Sequence, residues 1–464
     1  MATIVQPKDR LAQSTEALQT ASLAATDYLT NLSNRNVSAS DTALANLKYF
    51  DYGLPKAPQS AQSTLAKLHD HGSPATTATV GGRFFGLVVG GTLPAALGAR
   101  VLASAWDQVV LNESTSPVGV KLEQVAAGWL LDLFCLPEQS SVGFTTGATM
   151  ANFTCLAGAR HALLAQAGWN VEKQGLNGAP KLRIVASAQI HITVLKALAM
   201  LGLGTDCVES VACDANGAMR LDAVPKLDAN TLVLTQAGNV NSGACDPIGA
   251  IAARAAKVGA WVHVDGAFGL WAAASPSKKA MLEGYAGADS WVADGHKWLN
   301  TPYECGIAIC KYPEAIHTVM ATQAPYLKAG GIAAPKDMVP EFSRSARGVE
   351  VWAALHSLGR SGVADLIDRC CEHALAFAAG LNALGFEIIN DVVLNQVVAT
   401  LPGQEHLAPH LAELVQQSGE AWFGPTVWQG KQAIRISVSS WVTTGRDVER
   451  TLGAIKAALD ALKI

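Results

Sequence analysis

No run of about 18 uncharged apolar residues occurs in this chain, so a membrane-spanning helix is not expected. The longest apolar stretches, 84–89 and 195–203, are too short or too rich in glycine. Charge is also scarce, at 16% of residues, with a net value of −4 and the basic residues dispersed. That excludes the electrostatic footprint of a nucleic-acid or acidic-membrane binder. Cys-x-x-Cys is absent, and the nine cysteines are an odd number, with Cys370 and Cys371 adjacent on an expected helix. Free buried thiols in a reducing compartment fit best, and a zinc site is not expected. The first ten residues lack a basic stretch followed by an apolar one. Export is therefore not expected, and the cytoplasm is the expected compartment. The chain shows neither an internal repeat nor a low-complexity tail.

Half of the 464 residues are hydrophobic, mostly through alanine and glycine spread along the chain. A chain of this length buries a large core and divides into two or three domains. Residues 8–70 read as helical and polar, broken near Asn34 and at Leu54-Pro-Lys-Ala-Pro58. Such a segment buries little by itself, so 1–80 is expected to pack on another domain or subunit. From about residue 80, helices alternate with short β-branched runs at 182–186, 207–212, 231–236, 260–265, 290–293 and 306–310. Helices are expected at 118–133, 147–165, 191–201 and 246–258. Alternation of this kind implies an α/β domain over 81–345, with a mainly parallel sheet covered on both faces. Ligands of such sheets sit outside the carboxyl ends of the strands. A long helix beginning near Arg347-Gly348 leads into a smaller α+β domain over 346–464. Its expected strands are 386–390, 396–400 and 433–439.

The chemistry centres on Lys297, in Asp294-Gly-His-Lys-Trp298 after a strand-like run. A lysine at a strand end is ordinarily solvated. Here Asp265 ends the neighbouring apolar run 261–265, and a lysine with an aspartate on adjacent strand ends suits a pyridoxal phosphate enzyme. The lysine forms the Schiff base and the aspartate keeps the pyridine nitrogen protonated. Alone, Asp265 would read as a turn or helix-cap residue. His191, just after the run 182–186, is placed to stack on the cofactor face, although a lone histidine is more often structural. Thr145-Thr-Gly-Ala-Thr-Met-Ala-Asn152 opens a helix whose free amides suit a phosphate. Gly147 and Ala148 permit close approach there, Thr146 and Thr149 offer hydroxyls, and His296 is a further phosphate candidate. In the polar loop 236–243, Asn239 is the candidate cofactor contact.

These elements, in this order, resemble the group II pyridoxal phosphate-dependent decarboxylases, which include aromatic amino acid and glutamate decarboxylases. The likeness runs from about Phe84 to the last helix. It is carried by 145–152, Ser187–His191, His263-Val-Asp-Gly-Ala267 and 294–298, with support from Ser116-Pro-Val118, Leu122-Glu123 and Arg347. The resemblance implies the aspartate aminotransferase-like fold with a seven-stranded large-domain sheet, Ala267 among the cofactor contacts, and pyridoxal 5'-phosphate as cofactor. It also implies a homodimer with active sites at the interface, the N-terminal helices wrapping the partner. The reaction it implies is decarboxylation of an amino acid at its α-carbon, through an external aldimine and quinonoid.

Two departures leave the reaction open on the residues alone. Aromatic-substrate members carry a proton-returning tyrosine on a loop after the lysine; here 328–342 has no tyrosine, and Tyr326 and Tyr303 are the nearest candidates. The segment 84–92, Phe-Phe-Gly-Leu-Val-Val-Gly-Gly-Thr, and a second at 111–116 imply a different, more polar substrate pocket. Arg435, in 433–437, reads either as a surface strand arginine or as a clamp on a substrate carboxylate. An aldolase, another lyase or an aminotransferase on the same scaffold is the alternative. A non-catalytic homologue would be expected to have lost Lys297, Asp265 or His191, and all are present.

Overall fold

Near-continuous apolar runs make strands buried on both faces, and here they assemble into one central sheet. The computed structural model describes residues 7–322 and 334–463. The sheet is made of β1 (Ser141–Thr145), β2 (Arg183–Ser187), β3 (Val208–Val211), β4 (Thr231–Gln236), β5 (Trp261–Asp265), β6 (Ser290–Asp294) and β7 (Gly306–Cys310). Their order is β1-β7-β6-β5-β4-β2-β3. Every residue of β4, β5, β6 and β7 is buried. β7 runs antiparallel to β1 and β6, and the remaining pairs are parallel. The expected mainly parallel, seven-stranded sheet is therefore present. β1 was not among the strands read from the sequence. Its Ser-Val-Gly-Phe-Thr is short and interrupted by glycine, which weakens the strand signal, and its pairing with β7 places it in the sheet.

The shared direction brings the carboxyl ends of β1, β2, β4, β5 and β6 to one edge of the sheet, where α/β folds bind ligands. Helices Ala148–Gln166, Ile192–Met200 and Ile248–Ala256 follow β1, β2 and β4. Helix Pro117–Leu133 starts where Ser116 Oγ accepts the Gly119 amide at 3.2 Å and proline takes the first turn.

Helix Gly348–Ala383 leads to the second sheet and is broken at Gly359, whose φ of 61° no continuous helix accommodates. That sheet comprises β8 (Glu387–Ile388), β9 (Gln396–Thr400), β10 (Gly424–Trp428) and β11 (Lys431–Ser437), antiparallel throughout in the order β10-β11-β9-β8. β10 was also missed in the sequence. Gln429 and Gly430, both with positive φ, turn it back onto β11 as a two-residue hairpin.

The N-terminal segment is helical over Pro7–Thr30 and then breaks into Asp41–Asn46 and Ala61–Lys67. Leu11 and Leu23 on the first helix are each 73% exposed, so it buries little against its own chain. Among the described residues no helix is long and apolar enough to cross a membrane. The nine cysteines are free thiols.

A buried ion pair fixes helix Pro117–Leu133 to the start of Gly348–Ala383. Arg344 Nη1 and Nη2 donate to Glu123 Oε1 and Oε2 at 2.5 and 2.8 Å, with both side chains almost fully buried. Removing one partner strands the other charge. Glu123→Gln is expected to cost about 3–5 kcal/mol, read as a lowered denaturation midpoint at unchanged slope.

Candidate active site

β6 ends at Asp294, and the turn Gly295-His296 that follows delivers Lys297 to the ligand edge. Lys297 Nζ lies 3.3 Å from Asp294 Oδ2, and Asp294 is 1% exposed. The other oxygen, Asp294 Oδ1, has no hydrogen-bond partner and faces the start of helix Ala148–Gln166 beside Gly147. Asp294 was part of the motif read in the sequence but had no role assigned to it. The segment 84–92 lies directly against the lysine: a Cβ on Gly90 would overlap the Lys297 carbonyl oxygen.

Asn300 fixes this arrangement and was missed in the sequence. Fully buried and at φ 56°, it accepts the Gly91 and Trp441 amides at 2.6 and 2.9 Å. Its Nδ2 donates to the Trp298 and Ser439 carbonyls, each at 2.9 Å. One side chain thus joins the lysine turn, the 84–92 segment and the strand exit of the second sheet. Asparagine is one of the few non-glycine residues that adopts this backbone readily, which is the only local signal it gave.

His296 accepts the Cys305 amide on Nδ1 at 3.1 Å and turns Nε2 to 3.7 Å from Asp294 Oδ2. Burial pushes its pKa down. The Tyr303 ring stacks on it at 4.3 Å. Desolvation at the stack, reinforced by Asp294, pushes the Tyr303 hydroxyl up to about 12, although the residue as a whole is 56% exposed. Tyr326 and residues 328–333 of the tyrosine-free loop lie outside the described residues.

Asp265 closes β5, is buried, and accepts the Ala267 amide on Oδ1 at 3.2 Å. Ala267 packs against the cluster of Ala148, Ala151, Cys155, Val292 and Ala308. His191 caps helix Ile192–Met200, with Nδ1 2.7 Å from Thr193 Oγ1. Burial lowers its pKa, which leaves the ring neutral near pH 7; Asp265 opposes the shift, while Lys297 and Arg435 add to it. Asp265, Lys297, Arg435 and Asp294 therefore all lie within electrostatic reach of this imidazole. Beneath Asp265, His263 is held neutral by burial, with a pKa of about 4, between Ser290 Oγ at 2.8 Å and Asn152 Oδ1 at 2.7 Å.

The start of helix Ala148–Gln166 faces the same space. Its first intrahelical bond runs from Ala151 to Gly147, so the amides of Ala148, Thr149 and Met150 have no acceptor among the described residues. The Thr146 and Thr149 hydroxyls likewise make no hydrogen bond to the described residues. A Cβ on Gly147 would lie 3.4 Å from His296 Cε1, so the helix end and this histidine adjoin. Free amides, free hydroxyls and an adjacent imidazole are the donor set a phosphate monoester needs.

Asn239, the expected cofactor contact, also holds its own loop together. Its Oδ1 accepts the Asn241 and Ser242 amides at 2.9 and 3.3 Å, closing the loop. Its Nδ2 points towards Gly217, which packs on Trp428. It is Asn241 that turns towards Arg435, accepting Nη1 at 3.4 Å. Arg435 is half-buried, has no carboxylate partner among the described residues, and has its pKa pushed down by burial.

The family model described as the pyridoxal-dependent decarboxylase conserved domain matches residues 45–401. Tryptophan decarboxylase 1 of Oryza sativa subsp. japonica is 27% identical over 420 residues, covering 81% of this chain and 80% of that protein. L-2,4-diaminobutyrate decarboxylase of Rhizobium meliloti (strain 1021) is 28% identical over 389 residues, covering 78% of this chain and 74% of that protein. The crystal structure of Oryza sativa TDC with PLP and tryptamine superposes with a TM-score of 0.88 at 22% identity, over 100% of both chains.

Proposed function

The chain belongs to the pyridoxal-dependent decarboxylase family, and on that premise we propose that it decarboxylates an amino acid with the residues gathered at this sheet edge. One observation carries the reading: Lys297, Asp265, His191 and the N-terminus of helix Ala148–Gln166 converge at the carboxyl ends of neighbouring strands. Pyridoxal phosphate, when bound, draws electrons from the α-carbon bond that stands perpendicular to its ring.

Lys297 is the covalent anchor, and Asp294, 3.3 Å away, holds the ammonium before attachment. Asp265 keeps the ring nitrogen protonated, with its Oδ1 fixed by the Ala267 amide. The neutral His191 would pack against the face of the cofactor ring. The amides of Ala148 and Thr149, the hydroxyls of Thr146 and Thr149, and His296 hold the phosphate, with Gly147 admitting it closely. Arg435, with no carboxylate partner among the described residues and only Asn241 Oδ1 on its Nη1, receives the acid group of the incoming amino acid. Arg435→Gln is expected to raise KM by roughly tenfold or more, with a smaller change in kcat, in initial-rate measurements. Tyr303, protonated through the neutral range, returns a proton to the substrate carbon. Tyr303→Phe is expected to lower kcat by roughly 100-fold with KM little changed.

The protein works in the cytoplasm as a homodimer, and the poorly buried helix Pro7–Thr30 packs on the partner subunit. Its parts are an N-terminal segment over 1–80, a cofactor-binding portion over 81–345 and a smaller portion over 346–464. A panel of amino acids, followed for carbon dioxide, amine, aldehyde and keto acid, tests the reaction. Carbon dioxide with amine in equal amounts supports decarboxylation; keto acid or aldehyde without carbon dioxide assigns the alternative, transamination or carbon–carbon cleavage.

A further inference from the structure

Away from the lysine, a cleft of about 400 Å³ opens between the end of helix Pro7–Thr30, the turn at 78–83 and the start of helix Gly445–Leu462. Arg35, Arg83, Arg446 and Arg450 line it. The carboxylates nearby are already engaged. Glu420 receives Arg450 at 2.8 Å and Arg83 at 3.3 Å. Asp447 is held in the helix cap by the Thr444 hydroxyl and amide at 2.7 and 2.9 Å.

Arg35 and Arg446 are therefore left without an acidic partner among the described residues. Arg35 Nη2 reaches only the carbonyls of Ser73, Pro74 and Thr76 and the Thr76 hydroxyl, while its Nε is buried with no hydrogen-bond partner. Arg446 is exposed and makes no hydrogen bond or ion pair with the described residues. Four guanidinium groups line the cleft against the two carboxylates of Glu420 and Asp447, so positive charge is in excess here. Guanidinium groups around a metabolite-sized cavity match a phosphoryl group, whose oxygens accept paired hydrogen bonds.

We propose that this cleft binds a small phosphoryl anion, free phosphate or a phosphate monoester, between Arg35, Arg446 and Arg450. The site is wired to the catalytic wall by backbone. The Arg83 carbonyl accepts the Trp422 amide at 3.0 Å, and Trp422 in turn accepts the Phe85 amide at 2.7 Å. The chain continues through Phe84–Gly90 to its contact with Lys297. A bound anion would clamp the N-terminal segment to the second sheet and stiffen that wall.

The test uses holoenzyme saturated with cofactor, so that the phosphate cup at Gly147 is filled. It is titrated calorimetrically with AMP and with inorganic phosphate, at an ionic strength held constant with chloride. At least one of the two is expected to bind with a Kd of roughly 1 mM or tighter, and which one binds identifies the source of the phosphoryl group. Arg446→Ala and Arg35→Lys are each expected to weaken binding about tenfold, with the cofactor spectrum and unfolding midpoint of Arg446→Ala unchanged. No binding by either ligand overturns the proposal, as does binding that both variants leave intact.

Discussion

Lys297→Ala is expected to fold normally, to show none of the visible absorbance of a lysine-bound cofactor, and to lose turnover by roughly four orders of magnitude. The fold should survive because the Lys297 side chain is 21% exposed and, among the described residues, contributes a single ion pair, to Asp294. Backbone contacts hold the turn: Gly90 packs on the Lys297 carbonyl and Asn300 bonds both flanks. What disappears is the amine that attaches the cofactor and exchanges with the substrate. Circular dichroism, an absorbance spectrum and a carbon dioxide assay on one preparation separate these outcomes. Full activity in the variant would move the anchor to another lysine.

Asp265→Ala is expected to keep the lysine-bound spectrum while losing about three orders of magnitude in kcat. A carboxylate near 4 Å from a cation, at an effective dielectric of about 20, is worth roughly 4 kcal/mol. Expressed wholly in the transition state, that is about 10³ in rate. The carboxylate is buried at the end of β5, with one oxygen fixed by the Ala267 amide and neutral histidines beside and beneath it. Asp265→Asn keeps the shape and removes the charge, so it should fall nearly as far. A loss confined to KM in either variant would show that the carboxylate acts only in binding.

The strands that build the site were legible because strands covered on both faces are mostly apolar, and 231–236, 260–265 and 306–310 each carry an apolar run and are wholly buried over their strands. Lys297, Asp265 and His191 were legible because each follows such a run. β1 and β10 were not: Ser141-Val-Gly-Phe-Thr145 is short and interrupted by glycine, and Gly424-Pro-Thr-Val-Trp428 opens on glycine and proline, which read as loop before the cross-strand pairing is known. Contacts between distant residues were equally hidden. Nothing local marks Asn300 as the link between Gly91 and Trp441, or Asn241 as the neighbour of Arg435. Asn239, read from the sequence as a ligand contact because it is a polar loop residue at a strand end, also closes the loop itself, which no local signal announced. The Arg35–Arg446 cleft joins the two ends of the chain, and no window along the sequence displays it.

The most direct measurement is reduction of the holoenzyme with borohydride, followed by peptide mapping. Reduction fixes the cofactor to whichever lysine carries it. A phosphopyridoxyl group on the peptide containing Asp294-Gly-His-Lys-Trp298, at Lys297, is the predicted result. Labelling at a different lysine, or no labelled peptide from protein that binds pyridoxal phosphate, would contradict the account.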